Sequence, residues 1–294
     1  MIVTDKNQSG LALVVVLWVV ASLALLVAAF NASVKGSAVL VASEASLAQE
    51  HALINAGVEL AVAQLTLVGK DVRWQADGKA HEIDFAGTRL KIRISDANGR
   101  IDLNKSNSAL LLSFLTRHAD TPIQAEEIRD RILDWRDDDQ ERRGKGAEDL
   151  EYQKAGRTYG AGDTKFNNVT QLRDVLGVSY NLYKRLRPLI TVHNSNGLIN
   201  PLSASREVLL SLPLIAESEV SEVISLREQG ANNKTEIFKL LAKSRKWLNI
   251  SAGPAYVISI EVRAKDGKYG LPAEITILRS ADNQAPYRVL DWRI

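Results

Sequence analysis

Carboxylates are the residues of this chain whose type and spacing could do chemistry. They crowd into Asp137-Asp138-Asp139-Gln140-Glu141-Arg142-Arg143-Gly144-Lys145-Gly146-Ala147-Glu148-Asp149. Calcium takes about six to eight oxygen ligands from carboxylates and carbonyls on a turn-rich backbone, which is what such a loop offers. Asp137, Asp139, Glu141 and Glu148 even fall at the first, third, fifth and twelfth positions of an EF-hand count. Arg142 stands where that motif needs glycine, which argues against a true EF-hand. The same residues would also make a solvated charged loop, with Arg136, Arg142, Arg143 and Lys145 offsetting the acids. On spacing alone the solvated loop has the better claim.

Other chemistries find less support. The four histidines, His51, His81, His118 and His193, have no metal-ligand spacing, and there is no cysteine for disulfide or thiolate chemistry. No nucleophile elbow or glycine-rich phosphate loop occurs, so the sequence reads as a non-enzyme. A formal net charge of +2 is too small to mark a binder of nucleic acid or of an anionic surface. The stretch 200–228 is similar to a helix-hairpin-helix motif, whose glycine-rich hairpin presents backbone amides to phosphate. Here Leu212-Pro213-Leu214-Ile215-Ala216-Glu217 stands at the hairpin, without glycine and with an added acid. A single-pass, membrane-anchored DNA-binding protein is the alternative reading, and this hairpin speaks against it.

A second reactive position lies near the start. Lys6-Asn7-Gln8-Ser9-Gly10 runs into Leu11–Phe30, almost wholly aliphatic, and no residue from Asn7 to Val34 is charged. At about 1.5 Å per residue that run makes a helix of about 30 Å, the thickness of a bilayer core. A secretory signal places its small residue after the apolar region; here Gly10 precedes it. Cleavage there would leave the membrane helix on the mature chain. Gly10 and Lys6 resemble the leader of type IV pilins and type II secretion pseudopilins. In that class a prepilin peptidase cuts after the glycine and methylates the new N-terminus, here Leu11. The fifth residue after the cut is Val15, where most such proteins carry glutamate. A carboxylate at mid-bilayer is kept only where a partner exists, so Val15 suits a subunit that never makes that pairing.

These sites need elements to position them. From Asn31 to about Leu67 the chain reads as continued helix, with Leu40, Leu47, Ile54, Val58, Ala61 and Leu65 near one stripe. Leu90, Ile92 and Ile94 alternate with polar residues, Asp96-Ala97-Asn98-Gly99 turns, and Ile101 and Leu103 resume, predicting a hairpin. Tyr256, Ile258, Ile260 and Val262 alternate again, and Asp266-Gly267 leads to Glu274–Leu278. One sheet interrupted by a large helical insertion is the economical reading. Inside the insertion, 132–137 matches 223–228 and 168–176 matches 233–241, with Thr170 and Thr235 as N-cap candidates. The connection spans 137–167 in the first copy and only 228–232 in the second, so the acidic loop is an addition to the first.

Ile132-Leu133-Asp134-Trp135, the acidic cluster, Gly146-Ala147-Glu148-Asp149 and Ser95-Asp96-Ala97-Asn98-Gly99-Arg100-Ile101-Asp102-Leu103-Asn104 resemble the K-type minor pseudopilins of type II secretion. The resemblance runs over essentially the whole chain. It implies an α+β fold in which a pilin-like long N-terminal helix packs on an antiparallel sheet that carries a large all-helical insertion of two related small subdomains. The expected division is a leader at 1–10, the long helix at 11–67, the sheet at 68–103 and 255–294, and the insertion at 104–254. It implies a subunit capping the tip of a periplasmic pseudopilus, initiating its assembly and aiding export of folded proteins. Its partners would be the I- and J-type minor pseudopilins, other pseudopilus subunits and the prepilin peptidase. The chain would sit in the inner membrane with its C-terminal domain in the periplasm, without nucleic acid. The resemblance also moves calcium ahead of the solvated loop, with Asp137, Asp139, Glu148 and Asp149 as ligands and Asp134 or Glu141 as further members.

Overall fold

The computed structural model describes residues 8–66, 74–229, 233–263, 267, 269–270, 272–280 and 285–293, and within the first helix it gives 8–12 and 32–39 as backbone only. The chain divides into two units, 1–55 and 56–294. One helix, α1 (Gln8–Thr66), supplies nearly all of the first unit and enters the second, and it is continuous through Gly36. Leu13–Asn31 is long and apolar enough to cross a membrane, and none of it is buried. Of the expected stripe, Val58, Ala61 and Leu65 are buried, as is Ile54, while Leu40 and Leu47 are exposed. Leu67 lies outside the described residues.

In the second unit the last turns of α1 pack on a five-stranded antiparallel sheet. Its strands are β1 (Asp77–Phe85), β2 (Thr88–Asp96), β5 (Ala255–Val262), β6 (Ala273–Arg279) and β7 (Tyr287–Arg293), in that order across the sheet. β2 pairs directly with β5, from Leu90 opposite Val262 to Asp96 opposite Tyr256, so strands far apart in sequence form one ladder. Alternation predicts which side chains turn inward: Leu90, Ile92, Ile94, Ile258, Ile260 and Ile275 are all buried. Gly57 brings α1 close to this face, since a Cβ there would lie 2.9 Å from the Ile260 side chain. The Tyr287 hydroxyl on β7 donates to Glu59 of α1 at 2.6 Å.

The predicted hairpin across 90–103 is corrected. β2 turns back on β1 through Ala86 and Gly87, both at positive φ. The chain after β2 instead leaves the sheet through a short 3₁₀ turn at Ala97–Gly99, and β3 (Ile101–Asp102) pairs in parallel with β4 (Ile190–Thr191). Asp266, assigned to a later turn, lies outside the described residues.

Between β3 and β5 the chain is mostly helical: α2 (Ser108–His118), α3 (Pro122–Arg136), α4 (Asp149–Lys154), α5 (Tyr180–Leu186), α6 (Arg206–Leu210), α7 (Glu217–Glu228) and α8 (Lys234–Leu240). The matched blocks end α3 and α7, and they form the 3₁₀ turn Val169–Arg173 and α8. Both copies share one apolar core, which runs from Ile101 to Leu248. The threonine caps are corrected as well. Asn168 is the residue whose side chain accepts from the Thr170 and Gln171 amides, and Thr235 lies inside α8. Asparagine's short carbonyl arm reaches those amides from just outside the turn, which leaves threonine free to sit within it.

Candidate metal centre

The acidic loop joins α3 to α4. Thr121 caps α3, accepting from the Gln124 amide at 3.1 Å, with Pro122 at the first helical position. Asp137 is the residue at which α3 ends, and Glu148 is the residue just before α4 begins. Between them the loop doubles back. One carboxylate oxygen from each of Asp137, Asp139 and Glu148 lies within 4.8 Å of the others.

Asp134 holds the fold of the loop. Its side chain is wholly buried and accepts from the Arg143 amide at 3.3 Å and from the Arg143 guanidinium at 2.7 Å. Gly146 lies so close that a Cβ there would sit 1.7 Å from Asp134 Oδ2, so a side chain at 146 would displace this carboxylate. The Lys145 amide donates to Asp130 at 3.0 Å, and its ammonium pairs with Glu126 at 2.5 Å.

Three of the four expected ligands therefore converge. The fourth, Asp149, accepts from the Ala161 amide at 3.0 Å and packs on Gly160, holding the returning chain instead of joining the trio. Asp134 is committed to Arg143, and Glu141 is exposed, its amide donating to Asp139 at 2.8 Å. Sequence reasoning missed Asp163, which arrives on the loop after α4 and accepts from Gln140 at 2.9 Å. Its only signal was a further acid at the far end of the long addition.

Electrostatics give the trio its meaning. Glu148 is 4% exposed, and neither of its carboxylate oxygens has a hydrogen-bond partner; Asp137 Oδ1 is likewise buried and unpartnered. Burial first, and then the charges of Asp134, Asp137, Asp163 and Asp139, push the Glu148 carboxyl up to about 7. Asp163 is also raised, by burial and then by Asp149 and Asp137. A buried acid without a donor costs stability unless a proton or a cation meets it. An all-oxygen donor set of carboxylates, without nitrogen or sulfur, suits a hard divalent cation of the calcium class.

The residues at the leader are less informative. Gly10 and Leu11 fall in the first turns of α1, described by backbone alone, and Lys6 lies outside the described residues. At the helix-hairpin-helix stretch, α6 and α7 do flank a hairpin. Its tip carries Leu214, at φ +65° and 70% exposed, so an apolar side chain occupies the place where glycine would present amides.

Comparison with known proteins places these features. Residues 93–195 match the model of a family described as type II secretion system protein K. The type II secretion system protein K of Pseudomonas aeruginosa is 26% identical over 81% of this chain and 78% of its own length. That of Pectobacterium carotovorum subsp. carotovorum is 28% identical over 90% of this chain and 91% of its own. The fold is similar to a chain in the crystal structure of the GspK–GspI–GspJ complex from the enterotoxigenic Escherichia coli type 2 secretion system. That match has a TM-score of 0.60 and 16% identity, over 85% of this chain and 97% of that one. A sheet interrupted between β2 and β5 by a helical block, with the matched stretch reaching from β2 past the acidic loop, agrees with these matches: this chain is similar in sequence and fold to the K-type minor pseudopilins of type II secretion systems.

Proposed function

We propose that this subunit caps the tip of a periplasmic pseudopilus, initiates its assembly, and thereby aids export of folded proteins. The helical block inserted between β2 and β5 carries the reading, because such a bulk would obstruct a further subunit added beyond it. Both ends of the insertion leave one end of the sheet, where Asp96 lies opposite Tyr256. Val15 within the apolar span adds support, since a terminal subunit has no neighbour's amine to neutralise. The partners would be I- and J-type minor pseudopilins, as in the complex its fold resembles. Leu13–Asn31 would anchor the chain in the inner membrane with the remainder in the periplasm, after a prepilin peptidase cuts at Gly10 and methylates Leu11.

Calcium would bind Asp137, Asp139 and Glu148, with loop carbonyls completing the shell. Its contribution is structural: it would neutralise acids that otherwise repel and so hold the loop closed. Catalysis forms no part of this reading. The capping role is tested by joining Asp96 to Ala255 with a short turn, which the adjacent register of β2 and β5 permits. Overproduced wild-type chain is expected to shorten pseudopili seen by electron microscopy, and the chain without the insertion is expected not to. Equal shortening by both would remove the insertion from the capping mechanism.

A further inference from the structure

We propose that Arg143 is a built-in counter-cation of the carboxylate centre, holding part of the place of a metal's charge, so that a divalent cation must bind against it. The inference rests on the metal reading above and concerns what sets the affinity of that site. Four basic residues surround the loop in sequence, and three of them are turned elsewhere. Arg136 donates to the carbonyls of Leu103 and Ser106 at 2.7 and 3.0 Å. Arg142 is 3.9 Å from Glu151, and Lys145 is paired with Glu126. Arg143 alone among these four reaches the acids, bridging Asp134 at 2.7 Å and contacting Asp137 Oδ2.

One guanidinium does not satisfy them. Asp137 Oδ1 and both oxygens of Glu148 stay buried without a partner. Arg143 therefore stabilises the metal-free loop in part while adding a positive charge beside the position a cation would take. A cation that shared the Asp137 carboxylate with this guanidinium would be repelled by it. Its side chain is 39% exposed, so the guanidinium has a way to withdraw, whereas Asp134 is wholly buried and stays. The Arg143 backbone amide also donates to Asp134, so the loop keeps that anchor when the side chain is changed. A guanidinium that merely positioned Asp137 would have the opposite effect on affinity, because its loss would loosen a ligand.

The test is calorimetric titration of calcium into the full chain in detergent micelles, after removal of metal with EDTA. Wild type, Arg143→Gln and Arg143→Lys are compared, with thermal midpoints in EDTA measured alongside. Arg143→Gln is expected to bind calcium about tenfold more tightly, since ligand charge count sets such constants, and to melt lower than wild type in EDTA. Arg143→Lys keeps the charge but loses the planar fork, and is expected to lie between the two. Should the glutamine variant fail to fold, the lysine variant decides, and binding weaker than wild type overturns the proposal. A wild type that binds while Arg143→Gln binds no more tightly removes the role of Arg143 and leaves the metal centre. A wild type that binds no calcium removes both.

Discussion

Glu148 shows at the scale of a single residue what the loop requires. Its carboxyl is raised from an ordinary value of 4.5 to about 7, so between those pH values the folded chain holds a proton that the unfolded chain has lost. The stability this confers is complete below about pH 4.5 and is lost as the pH rises through about 7. Asp134 and Asp163 are raised too, both chiefly by burial, and act in the same direction. The thermal midpoint in EDTA is therefore expected to fall as pH rises through that window, and saturating calcium is expected to abolish the fall. Glu148→Gln should melt higher than wild type in EDTA at neutral pH, by a stability gain on the order of 2 kcal/mol, and should gain less from calcium. A Glu148→Gln chain that melts lower in EDTA and still responds fully to calcium would contradict this assignment. Much of the trio was legible, because Asp137, Asp139 and Glu148 stand in one short acidic run. The place of Asp149 outside that trio was not legible from spacing, because it depends on where Gly160 and Ala161 return to meet its carboxylate.

At the scale of elements, the insertion must leave and rejoin the sheet without loosening it, and Asp96 does this work. Its buried carboxylate accepts from the Asn98 amide at 2.9 Å, from the Gly253 amide at 3.1 Å and from the Asn200 side chain at 2.8 Å. These donors lie at the exit, the return and the interior of the helical block. Asp96→Ala would leave three buried donors unmet, an expected loss of about 3 kcal/mol or more in denaturant unfolding. A loss under about 1 kcal/mol would mean that water takes over their bonds. At the other end of the chain, Gly10→Val is expected to block processing, so intact-mass measurement should find the uncut chain where wild type begins at methylated Leu11. A wild-type chain beginning elsewhere would remove the leader reading. Strands β2, β5 and β6 were legible because their inward residues are aliphatic and alternate. β1 and β7, at the two edges, contain no buried residue and no run of alternating aliphatic side chains, so periodicity passes over them. The hairpin over 90–103 misled for a related reason: alternation marks strands but not their partners, and the turn at Ala97–Gly99 feeds β3 toward β4.

For the whole molecule, the account joins an apolar helix able to cross a membrane, a pilin-like sheet and a helical block whose loop gathers acids. Association through α1 would rest on packing of apolar and small side chains, since no residue from Asn7 to Val34 is charged. The helical block would then decide position, and the acidic loop would decide how firmly that block is held. What sequence could not supply is the single core shared by both repeat copies, because segments 132–137 and 223–228 read as local helices wherever they pack. The central claim is that this chain joins I- and J-type minor pseudopilins at the tip. It is tested most directly by native mass spectrometry of the full chain co-expressed with those two partners from the same secretion system. The account predicts a complex containing all three chains, retained in calcium and weakened by EDTA. A spectrum showing this chain alone or only as copies of itself, with the two partners paired without it, would contradict the claim.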